Sequence, residues 1–126
     1  MHKSQLAGLI IDCQDANLDE AAAFWASALG LEATCDPRSD DSKYRRLETQ
    51  PGELEIEIQK VDHASHVHLD IETDDVEAEV ARLEQLGARR VSNTHSWVVM
   101  EAPTGQRFCV VRCFSDRFGD SANHWD

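Results

Sequence analysis

The feature that most constrains this chain is an internal repeat. Residues 7–13 align with residues 67–73 at a shift of sixty, and each segment opens a run of strand, helix and three strands. In the second copy, HVHLDIETDDVEAEVARLEQLGARRV from His66 to Val91, the hydrophobic period changes cleanly from two to about 3.6, so the stretch reads as strand, helix, strand. Val67, Leu69 and Ile71 fall on one strand face and call for a core, whereas His66, His68, Asp70 and Glu72 fall on the other.

Each copy predicts a sheet covered by a helix on its apolar face. The expected fold class is α+β: two tandem βαβββ modules, about residues 6–61 and 66–113, with mixed sheets enclosing a cavity by their polar faces and helices packed on the outer faces. Residues 1–113 make the domain. Residues 114–126 form a C-terminal tail, with Phe114, Phe118 and Trp125 as anchors for docking on the domain or on a second copy.

In the first module Ala7, Leu9 and Ile11 share a strand face. Asp15 or Asn17 caps a helix over Leu18–Leu29 with the stripe Ala22, Trp25, Ala26 and Leu29, widened by Phe24 and closed by Gly30. A short strand at Leu31–Cys35, a loop at Asp36–Ser42, and a hairpin of Lys43–Thr49 with Glu53–Val61 follow. In the second module Thr73 or Asp74 caps a helix with the stripe Val76, Val80, Leu83 and Leu86, ending at Gly87. Strand Ala88–Ser92 and the hairpin Trp97–Ala102 with Arg107–Arg112 complete it.

Composition excludes several function classes. A net charge of −12 repels nucleic acid and anionic lipid, and no apolar run approaches the ~20 residues that span a bilayer, so neither is an expected partner. The N-terminus lacks the flanks of a signal peptide. Cys13, Cys35, Cys109 and Cys113 form no C-x-x-C pair, so free thiols and a cytoplasmic location are expected. No phosphate loop, dinucleotide fingerprint, nucleophile elbow or zinc-finger spacing occurs.

The phrases FWASALGLEA, HLDIETDDVEAEVARLEQLGA and WVVMEAPTGQRFCVV, in that order between Leu6 and Arg112, resemble the vicinal oxygen chelate superfamily. Within it they are similar to the glyoxalase-like domains, the fold of glyoxalase, bleomycin resistance protein and dihydroxybiphenyl dioxygenase. In metal-dependent members the resemblance implies a divalent ion between the two sheets, held by His, Gln or Glu from the first and last strands of each module. The matching positions here are Gly8, Glu57 (or Gln59, two residues on), His68 and Cys109. Glycine offers no donor, and a thiolate is soft for a site that suits nitrogen and oxygen.

The expectation is therefore a glyoxalase-like protein that binds a small organic molecule, with no cofactor and no obligatory metal. The alternative is a metal-dependent lyase, isomerase or dioxygenase with His68 and Glu57 as partial metal ligands. Candidate ligand contacts are His68, Glu57, Gln59, Asp70, Trp97 and Cys109; no catalytic residue is assigned, and enzymatic activity stays open. Each has an ordinary role beside the functional one: a hydrogen-bonded strand histidine, a solvated acidic face, a wall tryptophan, a packing thiol. The resemblance also implies a homodimer.

Overall fold

The computed structural model describes residues 1–14, 17–35, 42–94 and 96–126. The Asp15 alternative for the first helix cap and residues 36–41 of the loop expected at 36–42 lie outside the described residues. The elements run β1 (His2–Gln14), α1 (Leu18–Leu29), β2 (Glu32–Thr34), β3 (Tyr44–Glu48), β4 (Glu55–Val61), β5 (His66–Thr73), α2 (Val76–Gln85), β6 (Arg89–Asn93), β7 (Trp97–Glu101), β8 (Arg107–Arg112), α3 (Phe118–Ser121) and β9 (Asn123–Trp125). They group into two compact units, Gly8–Val67 and Met1–Ala7 with His68–Asp126.

In the Gly8–Val67 unit β2, β3 and β4 pair antiparallel in sequence order, and β4 pairs parallel with β1. The Asn17 side chain accepts from the Glu20 amide at 3.1 Å, and Asp19 and Glu20 place negative charge where the helix dipole favours it. The helix ends at Gly30, whose φ of 70° a side chain would strain. Leu18 and Ala22 pack with Ile11, Leu47 and Ile58, and Trp25, Ala26 and Ile56 close the margin. Two expectations fail. Phe24 is 63% exposed because it lies roughly 200° around the helix from Ala22, where it meets Trp25 edge-on at 5.1 Å. Leu29, the last residue of the helix, is also exposed.

The other unit repeats this topology. β6, β7 and β8 are antiparallel neighbours, with a bulge between Arg90 and Ser92, and β8 pairs parallel with β5. Under α2, Val80 and Leu83 pack on Val98, Met100 and Val110, joined by Ile71, Val76 and Phe108. The N-cap is Asp75, which accepts from the Ala78 amide, rather than Thr73 or Asp74. Those two are engaged with the chain's first strand: Thr73 Oγ1 donates to the Lys3 carbonyl at 2.8 Å, and Asp74 Oδ1 accepts from the Lys3 amide at 2.8 Å. Leu86 is the helix's C-cap residue and is exposed rather than part of the core stripe.

Two further residues depart from expectation. Val67 and Leu69 are 56% and 45% exposed, and only Ile71 of the β5 apolar face reaches the core. The β5–β8 ladder runs only from Asp70 to Thr73, so Val67 and Leu69 precede the helix-covered part of the strand.

The tail packs on its own unit. β9 pairs antiparallel with His2–Ser4, Phe118 is buried, and Trp125 Nε1 donates to Ser4 Oγ at 2.8 Å. Of the two docking surfaces open to it in the sequence, its own domain takes Phe118 and Trp125.

Candidate functional site

β5 and β8 assemble the candidate site within one unit. Strand alternation puts His68 and Asp70 on the sheet face opposite the α2 core, and the parallel register sets Asp70 beside Cys109. His68 Nε2 lies 3.3 Å from Asp70 Oδ1, and both side chains are largely buried. His68, Asp70 and Cys109 each bring a potential ligand atom within 4.8 Å of the others. On β7, Val99 faces Cys109 and Trp97 faces Val111, so Trp97 stands two residues along the same face. The face thus combines an imidazole beside a carboxylate, a thiol and, on the next strand, Val99 and Trp97. Asp70 Oδ1 is a buried acceptor that takes no hydrogen bond among the described residues.

The remaining candidates, Glu57 and Gln59, belong to the Gly8–Val67 unit. Both sit on the β4 face opposite the α1 core, with Glu57 in register with Ile10 and Arg46, and Gln59 with Asp12 and Tyr44. Gln59 Nε2 donates to the Tyr44 hydroxyl at 3.0 Å. Tyr44 and Arg46 were missed by sequence reasoning, although the alternation in YRRLE puts them on one face once the hairpin register with EIEIQKV is fixed.

Gly8 has its own structural reason. It pairs with Glu55 in the parallel ladder, and a Cβ there would lie 2.2 Å from the Glu55 carbonyl oxygen. The position that would carry a first-strand metal ligand is closed to any side chain by the neighbouring backbone. The four-strand donor set implied by the resemblance therefore does not fit this chain. Of the matched positions, the His68–Asp126 unit carries His68 and Cys109, with Asp70 beside them, and the Gly8–Val67 unit carries Glu57.

A hollow of about 760 Å³ lies between the start of α2 and the strands β6 and β7, bordered by Glu77, Arg90, Asn93 and Trp97. Within it Arg90 donates to Glu77 at 2.9 Å and to Asn93 at 2.8 Å. The His68 face is the better candidate. Among the described residues no helix is long and apolar enough to cross a membrane.

The sequence profile described as Glyoxalase-like domain matches residues 8–111. No curated protein sequence matches the chain. Among solved structures, methylmalonyl-CoA epimerase from Mycobacterium tuberculosis is similar at a TM-score of 0.56 and 19% identity, covering 87% of this chain and 88% of its own. An extradiol ring-cleaving dioxygenase from B. fuscum is similar at 0.56 and 14%, covering 88% of this chain and 33% of its own. A glyoxalase/bleomycin resistance protein/dioxygenase superfamily member from Vibrio splendidus 12B01 is similar at 0.53 and 14%, covering 90% of this chain and 100% of its own. At such identities these structures speak for the fold, and their different chemistries show that the fold alone does not choose a reaction. The profile spans most of the sequence, and the duplicated βαβββ topology agrees with it: the chain belongs to the glyoxalase-like domain family.

Proposed function

We propose that this protein binds a small polar organic molecule on the β5–β8 face around His68, without an obligatory metal at the family's position. The observation that supports this reading is Asp70 Oδ1, a buried acceptor that takes no hydrogen bond among the described residues and has the His68 imidazole beside it at 3.3 Å. A ligand hydroxyl or amine would complete it, with His68 and Cys109 as polar neighbours and Val99 and Trp97 as the apolar wall. The closed position at Gly8 speaks against dependence on the family's metal. Glu57 and Gln59 are proposed as polar contacts on their own sheet face. A cytoplasmic location and a homodimer belong to the same reading, the exposed Val67 and Leu69 giving the dimer an apolar patch to bury.

One observation favours a second reading. His68, Asp70 and Cys109 could together hold a divalent ion, which would make the protein a metal-assisted lyase, isomerase or dioxygenase. A thermal-shift screen separates the two, because a ligand that binds only the native state stabilises it by mass action. Small organic acids, alcohols and amines in the presence of EDTA form one panel, and divalent ions form the other. Saturable stabilisation by an organic compound, lost in Asp70→Asn, is the expected result. Stabilisation by metal alone, lost in His68→Ala, would establish the second reading, and no saturable shift from either panel would leave an interaction module without a ligand.

A further inference from the structure

We infer a separate transition-metal site at Asp12, His63 and His66, at the ends of β1, β4 and β5. The three residues belong to one unit, and each offers a ligand atom within 4.8 Å of the other two. They are distinct from the positions that match the family's ligands.

The geometry goes beyond proximity. The carbonyl of Ala64 accepts from both imidazoles, at 2.9 Å from His63 Nδ1 and 3.1 Å from His66 Nδ1. A carbonyl can only accept, so Nδ1 carries the proton on each neutral ring, and Nε2 is the nitrogen that would turn to a metal ion. This is how ligating histidines are commonly oriented: the distal nitrogen binds metal while the other is tied to a backbone oxygen. The rings stack with centroids 4.9 Å apart and planes 26° from parallel. His66 Nε2 lies 3.2 Å from Oδ2 of Asp12, whose side chain is 3% exposed; the contact is an ion pair when the ring is protonated, and with the neutral ring two acceptors face each other, as they would across a bound cation.

The frame beneath them is fixed. Gln14, at the end of the strand that carries Asp12, holds the turn between β4 and β5 through its amide to Ser65 Oγ at 2.9 Å and its side chain to the Asp62 carbonyl at 3.4 Å. The Asp12 carboxylate is buried on β1, while the exposed imidazoles can swing the short distance to the donor separation of about 3.3 Å that tetrahedral zinc requires. Two imidazoles and a carboxylate suit zinc, and also nickel or copper, over calcium or magnesium. Three protein donors leave a coordination position for water. The net charge of −12 enriches cations around the whole molecule.

The test uses the full chain, freed of any affinity tag, equilibrated with zinc and analysed for bound metal after gel filtration. Wild type is expected to retain one equivalent, the His63→Ala, His66→Ala variant at least tenfold less, and His68→Ala as much as wild type. Both replaced histidines are exposed, and unaltered thermal unfolding of the metal-free variant would show that its fold is intact. Cobalt substitution gives an independent readout: a site of nitrogen and oxygen donors shows d–d bands without a thiolate charge-transfer band. Equal zinc in the double variant, no retained zinc in wild type, or a thiolate band lost in Cys109→Ser would each overturn the assignment.

Discussion

His2 Nε2 lies 2.7 Å from Glu79 Oε1, tying the first strand of the chain to its second helix. Glu79 is wholly buried and also accepts from Ser4 Oγ at 2.9 Å and from Arg82 through Nε and Nη2 at 2.9 and 2.7 Å. Arg82 in turn lies over the Trp125 ring at 3.9 Å, so one carboxylate organises both chain ends. Glu79→Ala would leave the arginine and histidine without their buried partner, and is expected to cost about 3–5 kcal/mol. Urea denaturation measures it; a loss below about 1 kcal/mol would show that the network behaves like a surface pair.

Acid should loosen the same unit. Burial pushes Glu79 up, but the hydrogen bonds from Arg82, His2 and Ser4 outweigh it and hold the carboxyl below its ordinary range. Glu72 behaves alike: burial raises it, while Ser115 Oγ, the Ser115 and Phe114 amides and Gln5 Nε2 bring it down on balance. A carboxyl lower in the folded than in the unfolded chain contributes stability above the unfolded value, near 4.3, and loses it as pH falls through the folded value. Stability set by these groups should hold from neutrality to about pH 5 and fall below about 4.3. Glu72→Gln, unable to accept all four donors, should start about 1–3 kcal/mol lower and decline less steeply. Equal acid slopes for the variant and wild type would remove Glu72 from this account.

How much of this was legible follows the range of each interaction. The bounds of α1 were legible because Asn17 as a cap candidate, the apolar residues Ala22, Trp25 and Ala26, and Gly30 are all local signals. The shared face of His68 and Asp70 follows from alternation, but their neighbour Cys109 needed the parallel register of β5 with β8. Glu79 reads from sequence as one more solvated charge on an acidic helix; only His2, 77 residues away, reveals it as a buried hub. The Asp12, His63 and His66 group was hidden for the same reason, since the turn that brings the histidines to β1 has no period to read. Phe24 and Leu69 were misplaced because an apolar residue shows its hydrophobicity and not the extent of the element that would cover it.

Cysteine reactivity should rank by environment. Burial raises the Cys13 thiol, and the neighbouring Asp12 carboxylate raises it further, so the thiolate that reacts is scarce. Cys35 and Cys113 are exposed, and all four cysteines are free. In a time course of iodoacetamide labelling read by peptide mass spectrometry, Cys35 and Cys113 should be modified first, with Cys13 at least about tenfold slower. Labelling of Cys13 at the rate of Cys35 would mean that β1 opens readily at that end.

Gly8 offers the most direct test of the functional reading, because it separates a ligand position that is merely vacant from one that is closed. The Glu55 carbonyl oxygen would lie 2.2 Å, and its carbon 2.9 Å, from an added Cβ, and both atoms belong to backbone fixed by seven registered pairs between β1 and β4. Relief requires the strands to part, not a side chain to rotate. Gly8→Ala should therefore lower stability by at least about 1–3 kcal/mol, the usual cost of overpacking. Gly8→His, which puts an imidazole at this first-strand position, should destabilise more and gain no metal in a His63→Ala, His66→Ala background. Thermal unfolding and metal content measure both. If Gly8→His folds with wild-type stability and binds an additional zinc, β1 can accept a ligand after all, and the argument for a metal-independent site loses its structural basis.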